Sequence, residues 1–409
     1  MRRGRDALAR LGSGAGPRQA SVHGAYPPAP VPSLSAWVLG LIAALTLIKL
    51  LLYVVAAQPF GGAEHALCQW DCEWYVHTIS DWYDPEPRLR PTGDEANWAF
   101  FPLFPLLARG LRAVTKLDAF WSGTVVAVFC FAGFAAVSTR YRALTRPQGR
   151  PAPWIVLLIV YPFSLYFFMV YTESLYLLLT VLLLLSVRAG DFTGACAATG
   201  LVTAARPTGV VAIPYLLAEG AWRARAAFRP GLLLSARVRM LTDIAFALAL
   251  APLGLACYMA YLYWLTGDGL AFSHVEAAWT REFSNPLKVL YWALAAKNDL
   301  YYVLDPHAPQ SKIYAVAFVL AAALACLWLL WRSLFLEAWL LGATVLLALT
   351  TSVVSVPRYV TANPVFLLVV GDVVDRVRPR PVRIALAIAG VLLQGILLRQ
   401  WFLGTTLLE

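Results

Sequence analysis

The sequence predicts an all-α polytopic membrane protein, a single helical bundle of about eleven transmembrane helices, and three observations carry that prediction. Of its 409 residues, 60% are apolar and only 14% charged, with a mean hydropathy of +0.66. A soluble domain carries roughly 25% charge. Runs such as Ile155–Thr172 and Ile244–Gly267 contain no charged residue, and lengths near 20 residues are what a bilayer core demands. The basic residues fall in short clusters between these runs instead of covering one soluble face.

Residues 1–33 contain five arginines among Gly, Pro and Ala, with no apolar core ending in a cleavage site. They read as a disordered basic cytoplasmic tail, with the run from Leu34 to Ala57 as an uncleaved anchor. Residues 34–409 then form one polytopic domain. The expected spans are 35–57, 118–139, 153–169, 172–188, 191–205, 207–220, 241–266, 313–331, 335–353, 358–374 and 382–402. As one helix, 153–188 would be about 50 Å long, too long for one crossing, so Pro162 and Tyr171-Thr172-Glu173 suggest a hairpin. Segment 191–220 breaks at Arg206-Pro207-Thr208-Gly209.

Arginine clusters at 2–18, 140–150, 223–239 and 376–383 mark the cytoplasmic side, where short loops carry excess Lys and Arg. Parity then places five features on the opposite side: the first extracytoplasmic loop 58–117, Tyr171-Thr172-Glu173, Arg206-Pro207-Thr208-Gly209, the second loop 267–312, and Ser355-Val356-Pro357-Arg358-Tyr359. Irregular polar backbone at membrane depth is tolerated where it is buried in protein or lines a wet cavity. One outward-facing cavity would account for all five.

Several chemistries are disfavoured. The formal charge of +10 does not form the basic face that nucleic acid requires. There is no glycine-rich phosphate cradle, HExxH or nucleophile elbow. Cys130, Cys196, Cys257 and Cys326 lie in apolar runs and read as packing residues. Cys68 and Cys72 share the first loop, where an oxidising compartment could join them, although a spacing of four also occurs by chance. His65 and His77 make only a weak set for zinc. The loop carboxylates could bind a divalent cation, but no spacing resembles a dedicated oxygen-ligand loop, so no metal ligand is assigned.

Asp71 lies among Trp70, Trp74 and Tyr75 in an acid-rich loop that also holds Glu64, Glu73, Asp81, Asp84, Glu86, Asp94 and Glu95. Aromatic neighbours desolvate a carboxylate and make it a better acceptor for a hydroxyl proton. The carboxylates outside the Trp70–Tyr75 motif read as solvated charges, with Glu73 undecided. Glu173 and Arg206 each interrupt an apolar run, which marks them as functional candidates or as a structural ion pair. Arg358 could grip a phosphate, since a guanidinium matches phosphate oxygens in a fork. Asp268, with His274, Glu276, Trp279 and Arg281, gives the second loop a polar and aromatic mix suited to sugar, though Asp268 could equally cap a turn.

These features together resemble the GPI mannosyltransferase 2 (PIG-V) family and its bacterial relatives, membrane glycosyltransferases of the GT-C class. The markers are Trp70-Asp71-Cys72-Glu73-Trp74-Tyr75, Phe100-Phe101-Pro102-Leu103-Phe104-Pro105, Tyr161 through Phe167, Tyr171-Thr172-Glu173-Ser174, Arg206-Pro207-Thr208-Gly209 and Pro357-Arg358-Tyr359. The resemblance implies a GT-C-like bundle in the bacterial plasma membrane, with the N-terminus cytoplasmic. It implies transfer of mannose from a polyprenyl-phosphate-linked sugar donor to a glycan or lipid-glycan acceptor on the extracytoplasmic side. Asp71 would be the catalytic base, Arg206 and Arg358 the phosphate-binding pair, and Trp70, Tyr75 and Glu173 the cavity wall. The chain departs from the family pattern at Cys72 and at Pro207-Thr208, which bears on acceptor specificity. The competing expectation is a transporter or lipid flippase without glycosyl transfer, in which Glu173, Arg206 and Arg358 line a path. Polar groups gathered on one side and the lack of related halves weigh against it.

Overall fold

The computed structural model describes residues 31–90, 93–146, 149–279, 281, 283–295, 313–351 and 353–405. The expected tail lies almost entirely outside the described residues, as does the end of the loop 267–312. The described chain is helical apart from one antiparallel hairpin, Arg88–Arg90 with Gly93–Glu95.

Four helices are long and apolar enough to cross a membrane: Ala36–Phe60, Ala119–Thr145, Tyr314–Trp331 and Arg380–Phe402. A fifth crossing results if Leu234–Leu250 and Leu253–Thr266, bent by 52°, act as one. The eleven expected spans are therefore not reached by long helices among the described residues. Proline and glycine break the remaining apolar runs into pieces. Residues 153–169, for example, become the helix Pro151–Val160 followed by a 3-10 turn Pro162–Phe167, because Pro162 has no N–H to continue the ladder.

The first long helix shows which solvent it meets. Val38, Ile42, Thr46, Lys49, Tyr53 and Ala57 are buried, a stripe at intervals of three and four residues, while Leu47, Leu51, Leu52 and Val55 face outward. A helix with polar groups turned inward and leucines outward is solvated by lipid. The helix Arg380–Phe402 likewise exposes Ile384, Ile388, Leu392 and Ile396. The molecule is an integral membrane protein.

At the centre stands the helix Glu173–Ala189, buried on most of its circumference and packed against Ala119–Thr145 and Phe192–Ala205. The last of these is rich in Ala and Gly, which lets backbones approach. A Cβ on Gly254 would overlap the Gly200 carbonyl oxygen, so the helix Leu253–Thr266 seats directly on Phe192–Ala205.

Polar groups released by the broken helices find partners inside the protein. Lys49 Nζ donates to the Ile159 carbonyl at 2.6 Å and to Ser164 Oγ at 2.5 Å, and Gln394 Nε2 donates to the Tyr161 carbonyl at 2.8 Å. Those side chains supply what water cannot supply at membrane depth.

The central helix runs from Glu173 at one end of the bundle to Arg188 at the other, where Arg188 meets Glu337 at 2.5 Å and Glu337 accepts from Tyr141. Beside them, Arg142, Arg146 and Arg332 surround Asp372, and Arg142 and Arg146 also reach Asp375. These described arginines thus gather at the end of the bundle opposite Glu173.

Candidate active site

The chain reverses after Ala57 and enters the short helix Ala63–Leu67, then the helix Asp71–Asp81. A disulfide joins Cys68 to Cys72, with Cα atoms 5.1 Å apart, closing the turn that contains Gln69, Trp70 and Asp71. Trp70 adopts φ 55°, ψ −120° immediately before the helix. A bulky non-glycine residue with positive φ is strained, and strain of this kind persists where the surroundings over-determine it.

Tyr171 supplies part of that constraint. Its hydroxyl donates to the Gln69 carbonyl at 2.9 Å and accepts from the Asp71 amide at 3.1 Å. Trp401 braces the same region, its ring 5.7 Å from Tyr171 and its Nε1 donating to the Leu67 carbonyl at 3.0 Å. The turn Tyr171-Thr172 and the disulfide-closed turn are therefore locked together, and Tyr75 Oη adds a long bond to Thr172 Oγ1 at 3.4 Å.

On the helix Asp71–Asp81, residues 71, 74 and 75 share a face, and all three line a cavity of about 440 Å³. That volume suits a small-molecule site. Glu73 points to the other face and is exposed. Phe100 stacks on Trp74 with centroids 5.8 Å apart, and Trp279 stands edge-on to Trp74 at 5.7 Å. A smaller apolar core of Tyr83, Trp98, Phe101, Tyr258 and neighbours holds this arrangement, with Tyr258 Oη donating to the Trp98 carbonyl at 2.6 Å.

The floor of the cavity is a chain of alternating charges. Asp71 Oδ2 lies 2.8 Å from Arg358 Nη1, Arg358 Nε lies 3.4 Å from Glu173 Oε1, and Arg206 Nη1 lies 3.3 Å from the same oxygen. Glu173 is 1% exposed and both arginines are under 10%, whereas the Asp71 side chain is 28% exposed. Arg206 also sits over the rings of Tyr359 and Tyr176, at 4.7 and 5.4 Å, and Arg358 over Tyr171 at 5.3 Å. Its place follows from the Arg206-Pro207-Thr208-Gly209 break, where the helix Phe192–Ala205 ends and a 3-10 turn begins. A Cβ on Gly209 would collide with the Thr203 backbone, so the turn folds back closely under Arg206.

Three buried polar atoms here make no hydrogen bond: Trp70 Nε1, Glu173 Oε2 and, beyond its 3.4 Å ion pair with Glu173 Oε1, Arg358 Nε. Leaving such atoms unsatisfied is costly, and all three residues line the cavity.

Six of the seven site residues expected from the sequence, Trp70, Asp71, Tyr75, Glu173, Arg206 and Arg358, line this one cavity. Asp268 does not. Its carboxylate accepts from the Leu270 amide at 2.8 Å and meets His274 Nδ1 at 2.6 Å on the surface. The His274 bond and then the Leu270 amide hold its pKa below the usual carboxylate range, and it caps a turn. Its loop instead contributes Glu276, Trp279 and Arg281 to the cavity wall, with Glu276 and Arg281 paired at 3.3 Å. Burial pushes the Glu276 carboxyl above its ordinary value, and Arg281 opposes the rise.

Glu95 corrects the expectation of a solvated charge: it is 8% exposed and lines the cavity from the end of the hairpin. No signal in its local sequence separated it from the other loop acids. Among the described residues, no three His, Cys, Asp or Glu side chains gather as a metal site requires. No family model, curated protein or solved structure matches the chain.

Proposed function

We propose that the protein is a lipid-linked glycosyltransferase of the GT-C kind, transferring mannose from a polyprenyl-phosphate-sugar donor to a glycan or lipid-glycan acceptor. The observation that carries this reading is a partly exposed carboxylate, Asp71, held 2.8 Å from a buried guanidinium in an aromatic-walled cavity. Aromatic faces suit the apolar faces of a sugar ring, and Trp70 Nε1 and Glu173 Oε2 offer a donor and an acceptor without partners in the protein.

In this reading the acceptor hydroxyl attacks the anomeric carbon opposite the phosphate, giving inversion. Its proton passes to Asp71 as the new C–O bond forms and the bond to the phosphate oxygen breaks. The charge movement is self-compensating. Protonation of Asp71 removes the anion that Arg358 was neutralising, at the moment when the departing phosphate gains negative charge. The guanidinium then faces the phosphate with its charge less compensated, which is where electrostatic stabilisation of a transition state is worth most. Arg206, already paired with Glu173, extends the positive field.

The same reading assigns the cavity to the extracytoplasmic side of a bacterial plasma membrane. The Cys68–Cys72 disulfide supports it, since such bonds persist in oxidising compartments. So does the collection of arginines at the far end of the bundle. The shorter apolar helices Pro151–Val160, Phe192–Ala205 and Phe335–Ala348 would supply further crossings toward about eleven.

The test is transfer of radiolabelled mannose from polyprenyl-phosphomannose by purified protein in lipid. Asp71→Asn should lower turnover by roughly 10²–10⁴-fold, and unchanged turnover would remove Asp71 from the role of base. Solute or lipid movement across liposomes with no sugar transfer would favour the transporter reading.

A further inference from the structure

A second cavity, of about 670 Å³, lies between the helices Ile213–Ala224 and Leu234–Leu250 and the start of Phe192–Ala205. It is remote from the candidate active site. The helix that joins the two neighbourhoods has Phe192 at one end and Arg206 just past the other, a separation of about 21 Å for 14 residues at 1.5 Å each. The cavity therefore opens at the end of the bundle where Arg142, Arg146, Arg188 and Arg332 gather.

Its lining holds four guanidiniums, Arg223, Arg225, Arg229 and Arg239, against one carboxylate, Asp243. Arg223 is spoken for, bonded to Glu219 at 2.9 Å and seated over the Phe192 ring at 4.9 Å. Arg225, Arg229 and Arg239 have no ion-pair partner among the described residues. With Arg223 paired to Glu219, three guanidiniums remain against the single carboxylate of Asp243, a positive excess that calls for an anion of more than one oxygen, and guanidinium favours phosphate.

The rim says which kind of phosphate. Phe192, Trp222, Met240 and Ile244 form an apolar wall beside the arginines, and Phe228, Leu233 and Leu234, in or next to the connection that carries Arg225 and Arg229, stand 65%, 75% and 72% exposed. A free phosphate would gain nothing from them. An amphiphile would place its headgroup among the guanidiniums and its chains along the leucines, as basic pockets between membrane helices do with anionic lipids. We propose that this cavity is a binding site for the headgroup of an anionic phospholipid of the surrounding membrane. The assignment does not depend on the reaction proposed for the other cavity.

The test uses the full-length protein in nanodiscs of phosphatidylcholine containing a minor fraction of phosphatidylglycerol, with retained lipid identified by native mass spectrometry. Phosphatidylglycerol should be retained in preference to phosphatidylcholine. Substituting Arg225→Gln, Arg229→Gln and Arg239→Gln should weaken that preference by roughly fivefold per guanidinium. Excess inorganic phosphate should leave it unchanged. The assignment fails if the unsubstituted protein retains both lipids equally, if inorganic phosphate displaces the bound lipid, or if the triple variant keeps the full preference. The first two arms use unsubstituted protein, so they decide the matter even if the variant does not fold.

Discussion

Glu173 is the residue on which the cavity's charges converge, because one of its oxygens faces both Arg206 and Arg358. Two buried guanidiniums share that carboxylate, and removing one partner of a buried pair costs about 3–5 kcal/mol. Glu173→Gln should therefore lower the thermal midpoint in detergent sharply, more than Asp71→Asn, which leaves Arg358 its second carboxylate. Denaturation scans of the two variants side by side check the order. Glu276 makes a pH prediction. Because burial raises its folded-state value above 4.5, the folded protein holds this proton longer than the unfolded chain. Its contribution to stability is complete below that pH and is lost as pH rises through the raised value. Glu276→Gln should remove this loss, so the variant should gain on the parent as pH climbs from 4.5, read as the difference in midpoint across a pH series.

At the scale of elements, the site depends on where helices stop. Asp71 begins one, Glu173 begins another, and Arg206 follows the end of a third. Charged side chains at helix ends reach a cavity without interrupting the hydrogen-bonded ladder. Close seating of Leu253–Thr266 on Phe192–Ala205 keeps the Arg206 turn in place, and it requires glycine at the contact. Gly254→Ala should force the two helices apart, at a cost of about 1–3 kcal/mol. Its thermal midpoint should fall, while a conservative change on the lipid face, such as Leu392→Val, should leave it nearly unmoved. Pro162 marked a break between residues 153 and 188, but the expected span 153–169 ran through it, whereas the helix stops at Val160. The satisfaction of that break by Lys49 and Gln394 was not legible, since both come from distant parts of the chain.

For the whole molecule, the proposed topology makes its own prediction. A single cysteine placed at exposed Glu73, in an otherwise cysteine-substituted chain that retains the Cys68–Cys72 pair, should react with an impermeant maleimide added to intact cells. One placed at exposed Arg229 should react only after the membrane is opened. The reverse pattern would invert the orientation. Apolar composition, charge-free runs and arginine clusters are local properties, and by themselves they determined that the chain is a helical membrane protein. They could not determine span lengths, because 3-10 turns and short helices satisfy the same hydropathy as one long helix. Nor could they rank carboxylates in the first loop. Asp71 stood out by its aromatic neighbours, but Glu95 and the exchange of Asp268 for Glu276 depend on which face each residue presents to the cavity. Only the tertiary structure decided the alternating chain Asp71–Arg358–Glu173–Arg206, because pairing between buried charges is set by the packing of four segments far apart in sequence, and no local pattern encodes that distance.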